Sequence, residues 1–178
     1  MKKFVGLLIL LLSLVVLSCS DSSGEYVFGI VGYEVFVAAK NAWKEPAGYS
    51  FTAEIFTNAM GPRSIDVKVE NGVSVLSYTP NRYNPSRSPE EDLLYFPFDI
   101  KTIAGLFESI EKENVYITTD PLVRNTYDCC LIGINYGKYN DITIPTYVHR
   151  WGQLKGGDRL DGGNSPSLKI TNFKVLEE

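Results

Sequence analysis

The chain is 178 residues long, 44% apolar and 21% charged, with a formal net charge of −4 and a single histidine. That length suits one domain with a real hydrophobic core. An acidic balance without any block of basic residues excludes a nucleic-acid binder, whose contact surface has to be cationic.

The N-terminus opens with Met1-Lys2-Lys3 and continues from Phe4 to Leu17 with apolar residues interrupted only by Gly6 and Ser13. As a helix this run would reach about 21 Å, short of the roughly 30 Å of a bilayer core. Charge, apolar run and small residue in that order at the extreme N-terminus predict a cleaved signal peptide over residues 1–18. Val16-Leu17-Ser18-Cys19 resembles a bacterial lipobox. The resemblance implies a diacylglycerol on the Cys19 thiol and removal of everything before it. Several acyl chains hold a protein to a membrane far more firmly than one. Ser20 at the next position resembles an outer-membrane sorting signal for a cell with two membranes. Loss of Lys2 and Lys3 takes the net charge of the mature chain to about −6. Residues 19–25, polar and small through Ser20–Gly24, read as a tether, and residues 26–178 as one domain.

Tyr26–Tyr33 is apolar with two glycines, a pattern compatible with either regular element. Glu34–Trp43 predicts a helix, with Val35, Ala38, Ala39, Ala42 and Trp43 at helical spacing. Two runs of period-two alternation follow, Tyr49–Ile55 and Ile65–Val69. The second leads into Asn71-Gly72, a dipeptide that accepts the positive φ angles of a type I′ turn, and Val73–Tyr78 is its partner strand. Ser88-Pro89-Glu90-Glu91 fits a capping box with proline at the first helical position, and Pro97 should stop the short helix it opens. Asp99 reads as the cap of a second long helix, with Ile100, Ile103, Leu106, Phe107 and Ile110 on one face and an end at Lys112-Glu113-Asn114. Strands are expected at Val115–Thr118, Tyr127–Tyr136, Ile142–Trp151 and Ser167–Leu176, the third being an edge or broken at Pro145. The fold expected is α+β: an antiparallel sheet of about six strands with two helices on one face, in the order helix, three strands, helix, three or four strands.

The residues that could carry chemistry are few. His149 stands alone, which rules out a multi-histidine metal site, and no motif supplies the serine of a triad. Cys129 and Cys130 are a candidate redox pair. Neighbours on a strand point to opposite faces, however, and their Cα atoms are about 3.8 Å apart, below the usual disulfide span. Two inert packed thiols are the simpler reading. Asp158 and Asp161, in a glycine-rich stretch, are the candidates for a metal, but their spacing and the lack of a closing glutamate depart from an EF-hand loop. Glu90-Glu91-Asp92 is explained by helix-start capping. Arg82, Tyr83 and Asn84, in a central loop, are residue types common in contact surfaces and form the candidate binding surface.

Several stretches together resemble a family of small bacterial lipoproteins, the domain of unknown function 6174. They are Trp43 with Tyr49-Ser50-Phe51, Val67 through Val73, Leu106 through Ile110, and Ile134-Asn135-Tyr136 with Tyr139, Pro145 and Tyr147-Val148, closing on Asn172-Phe173. The likeness spans residues 34–176. Ile142-Thr143-Ile144 lies inside the tyrosine-to-proline spacing, a departure that bears on the turn there. The resemblance implies an exported, anchored α+β domain and carries no catalytic residue. The expectation is a lipid-anchored envelope protein that binds a protein partner or ligand without chemistry and needs no cofactor beyond lipid on Cys19. Its rivals are a metal-assisted hydrolase using loop carboxylates and a structural spacer.

Overall fold

A computed structural model of the chain describes residues 28–57, 61–79, 88–94, 96–155 and 166–176. In chain order the elements are β1 (Phe28–Ile30), α1 (Tyr33–Ala42), β2 (Gly48–Thr57), β3 (Gly61–Glu70), β4 (Val73–Tyr78) and α2 (Pro89–Leu93). Then follow α3 (Ile103–Thr119), α4 (Pro121–Thr126), β5 (Tyr127–Tyr139), β6 (Ile142–Leu154) and β7 (Ser167–Val175). The α+β class and the single sheet agree with the sequence reading. The details do not: among the described residues the sheet has seven strands, is mixed, and is accompanied by four helices.

The strand order is β1-β5-β6-β7-β2-β3-β4. All neighbours run antiparallel except β1, which lies parallel to β5 with Phe28 opposite Cys130 and Ile30 opposite Ile132. A parallel pair needs a long connection, and here everything from α1 to α4 intervenes. That is why three residues of Tyr26–Tyr33 could not be recognised as a strand from their own neighbourhood.

The hairpin at Asn71-Gly72 forms as expected. Asn71 and Gly72 take φ angles of 52° and 77°, and Glu70 pairs with Val73 across the turn. Alternation puts Tyr49, Phe51, Ala53 and Ile55 of β2, with Ile65, Val67 and Val69 of β3, on one face. They pack there with Phe36 and Ala39 of α1, Ile103, Leu106, Phe107, Ile110 and Ile117 of α3, and Val123 of α4. One core on one side of the sheet results.

Three local expectations are corrected. The α1 stripe is Phe36 and Ala39, while Val35, Ala38 and Ala42 are exposed and Trp43 is the extended residue after the helix. The cap of α3 is Thr102, whose hydroxyl accepts from the Gly105 N–H at 2.8 Å; Asp99 sits outside the helix and its carboxylate accepts from the Lys101 N–H. Val115–Thr118 is helix rather than strand. Ile117 extends the buried stripe by two turns, and burial overrides the β-propensity of Val115, Ile117 and Thr118. What stops α3 is Pro121, which forces Asp120 into an extended conformation; the Asp120 carboxylate then caps α4 by accepting from the Leu122 N–H at 2.7 Å.

Pro145 breaks the β5–β6 ladder without ending it. Asn135 pairs with Tyr147 and Tyr136 with Pro145, so Thr146 bulges out of register. The β6–β7 pairing covers only Tyr147–His149.

Candidate functional site

Between α2 and α3, Leu94, residues 96–99 and Lys101 form the wall of a groove of about 600 Å³. Its start is fixed by a complete capping box: the Ser88 hydroxyl accepts from the Glu91 N–H, and the Glu91 carboxylate accepts from the Ser88 N–H. Phe96 and Phe98 then turn inward, edge to face at 5.6 Å. The Asp99 N–H donates to the Ser109 hydroxyl at 2.9 Å, tying this wall to α3. Opposite it, Ser109, Lys112, Glu113 and Tyr116 form one stripe of α3. Leu94 projects over the groove with 80% of its surface exposed, and Tyr116 is also exposed. The lining is therefore an apolar floor with a rim of both charge signs: Glu90, Asp99 and Glu113 against Lys101 and Lys112.

The wall is anchored by a buried charge. Asp92 is 1% exposed; its carboxylate accepts from Arg63 Nε at 3.0 Å and from the Tyr78 hydroxyl at 2.6 Å, joining α2 to β3 and β4. Burial and the neighbouring carboxylate hold the Tyr78 phenol protonated well above its usual range. Capping accounts for Glu91 but not for Asp92, whose role is this tertiary anchor.

At the other end of the groove Glu113 meets β6. Its Oε1 lies 2.6 Å from Arg150 Nη1, an ion contact rather than an aligned hydrogen bond, and the Arg150 guanidinium sits 6.0 Å from the Tyr116 ring centre. Burial is the largest single influence on the Arg150 guanidinium and would lower its pKa, but Glu113, Cys130 and Tyr127 together outweigh it and the group is held firmly charged. Cys130 faces the same pair. Burial pushes its thiol pKa up, and Arg150 offsets that only in part, so Cys130 is a protonated thiol without the character of a nucleophile.

The remaining candidates are dispersed. Cys130 is a free thiol, so it is not joined to Cys129, and it packs into the core; Cys129 lies on the opposite face, fully buried and disulfide-bonded, so the reading of two packed thiols holds for Cys130 alone. His149 belongs to a central strand, not an edge, between Gly133 and Ser167. Its ring stacks on Tyr147, its Nδ1 is buried with no partner among the described residues, and burial lowers its pKa. On the outer sheet face the Asn172 amide donates to the Thr52 hydroxyl, which donates to Asp66. Asn172 itself takes a φ of 55° at a bulge, so this network is explained by pinning the bulge.

Cys19, the loop residues Arg82, Tyr83 and Asn84, and the acidic pair Asp158 and Asp161 lie outside the described residues. Among the described residues no three His, Cys, Asp or Glu side chains gather as metal ligands would. The groove was missed by sequence reasoning. Its walls are set by contacts such as Glu113–Arg150 and Asp92–Arg63, whose spacings follow no local pattern. The one legible signal was the capping box at Ser88. Comparison of the chain with family models, curated proteins and solved structures returned no match.

Proposed function

We propose that this chain is an envelope protein, lipid-anchored through Cys19, whose domain binds an amphipathic ligand in the α2–α3 groove without performing chemistry on it. The resemblance to the domain of unknown function 6174 accords with such an anchored module. The observation that carries the binding reading is the groove itself: an apolar floor kept open to solvent beneath an exposed Leu94, with carboxylates and ammonium groups at its rim. An exposed apolar recess with a polar rim costs solubility and is the usual form of a ligand site. Two groups near the groove that could act as a nucleophile or base are withdrawn, one by burial and one by an ion pair. The Cys130 thiol is protonated, and Glu113 is committed to Arg150.

Titration with the fluorescent probe 1-anilinonaphthalene-8-sulfonate tests this reading. One bound dye per chain is expected, weakened about tenfold by Leu94→Ser, since withdrawing a leucine side chain from a contact is worth about 1.5–3 kcal/mol. Leu94 is exposed in the free protein, so the variant should melt like the parent. Equal dye binding by parent and variant would remove the groove from consideration.

A further inference from the structure

The two ends of the sheet are built differently. At one end β1 is three residues long and contains Gly29 at a φ of 107°, a short and kinked edge that offers little to another strand. At the other end β4 is six residues long, and its register with β3 runs without a shift from Ile65/Tyr78 to Glu70/Val73. Its sequence, Val-Ser-Val-Leu-Ser-Tyr, contains no charge and no proline. Open edges in monomeric proteins are ordinarily blunted by lysine, proline, a bulge or a cover. The β4 strand has none of the first three.

The hydrogen-bond parity of this edge can be read directly. The Thr79 N–H donates to Ser64 O, which makes Ser64/Thr79 a bonded pair. In an antiparallel ladder bonded pairs alternate, so Asp66/Ser77, Lys68/Val75 and Glu70/Val73 are bonded too. The N–H and C=O groups of Ser74, Leu76 and Tyr78 therefore point away from β3, with no partner among the described residues. On the outer face Val73 and Val75 are 67% and 65% exposed, and on the core face Leu76 and Tyr78 are only partly buried. The core layer is thus left open at the same edge as the ladder.

We propose that two copies of the chain pair through β4, antiparallel, about a two-fold axis through Leu76. A two-fold axis perpendicular to the sheet keeps each face on its own side, and this register alone brings all three outward residues into bonded pairs. Leu76 meets the partner's Leu76, and Ser74 meets the partner's Tyr78 on each side of the axis, giving about six main-chain hydrogen bonds. The side chains match as well. Leu76 packs on its own copy and continues the core layer, and Val75 lies diagonal to the partner's Val75 on the outer face. No charged group is brought against a like charge, since β4 has none. A second copy is the occupant that satisfies backbone parity and both faces in one register.

Sedimentation equilibrium of the full chain in mild detergent, across the micromolar range, tests the pairing. The parent should sediment as a dimer. Ser74→Pro removes an outward N–H and adds bulk to the edge while taking nothing from the β3–β4 ladder. It should melt like the parent and dimerise at least tenfold more weakly. Val75→Glu, at an exposed position opposite Lys68, sets two carboxylates diagonally across the axis and should act likewise; it decides the matter if Ser74→Pro does not fold. A monomeric parent, or a dimer that survives in a variant melting like the parent, overturns the proposal. Neither outcome bears on dye binding in the groove.

Discussion

At the scale of single residues, the buried polar groups are spent on joining elements. The Tyr49 hydroxyl, in a residue with no exposed surface, accepts from the Ile103 N–H at 3.0 Å and donates to Glu45, tying the start of α3 to β2. Asp92 does the same for α2 through Arg63 and Tyr78. Breaking a buried ion pair from one side costs about 3–5 kcal/mol because a charge is left behind. Asp92→Ala should therefore lower unfolding stability by about 3 kcal/mol, read from denaturant curves. His149 gives a pH dependence of definite sign. Burial depresses its folded-state pKa below the ordinary 6.5. In the window from 6.5 down to that depressed value the unfolded chain takes up a proton that the native chain does not. Stability is thus fully present above pH 6.5 and is lost as pH falls through the window. In His149→Gln that part of the stability–pH profile should flatten; an unchanged slope would place the titrating group elsewhere.

At the scale of elements, local pattern and tertiary demand part company at α3 and β1. The β-branched run after Asn114 reads as a strand, yet Ile117 completes a stripe that only a helix can bury. Asn114, which looks like a helix-ending residue, stands within α3. Its side-chain oxygen accepts from the Ile30 N–H at 2.8 Å and so holds β1 in the sheet. Gly29 makes that possible, because a Cβ there would lie 2.6 Å from the same Asn114 oxygen. Gly29→Ala combines this clash with a φ of 107°, a conformation costing side-chain-bearing residues on the order of 1–3 kcal/mol. Detachment of β1 is expected, seen as faster amide exchange at Val31, whose N–H donates to Ile132 O in the parent. The Asn71-Gly72 hairpin is the opposite case: its register follows from two adjacent residues and was legible without the rest of the chain.

At the scale of the whole molecule, the anchoring proposal rests on the leader and can be checked apart from the fold. Cells fed labelled palmitate should yield a labelled protein beginning at residue 19, and Cys19→Ala should abolish the label. A mature chain that still begins at Met1 would refute it. The hairpin, the capping box and the α+β class were legible because each depends on residues near one another in sequence. Periodicity, turn chemistry and composition act over a few residues, and a linear reading captures them. The position of β1, the true face of α1, the length of α3 and the groove walls were decided only by the folded chain. Much of this rests on partners far along the chain, such as Arg63 for Asp92 or Cys130 opposite Phe28. Burial and ion pairing act through space between residues far apart along the chain, and no local rule specifies which of them will meet.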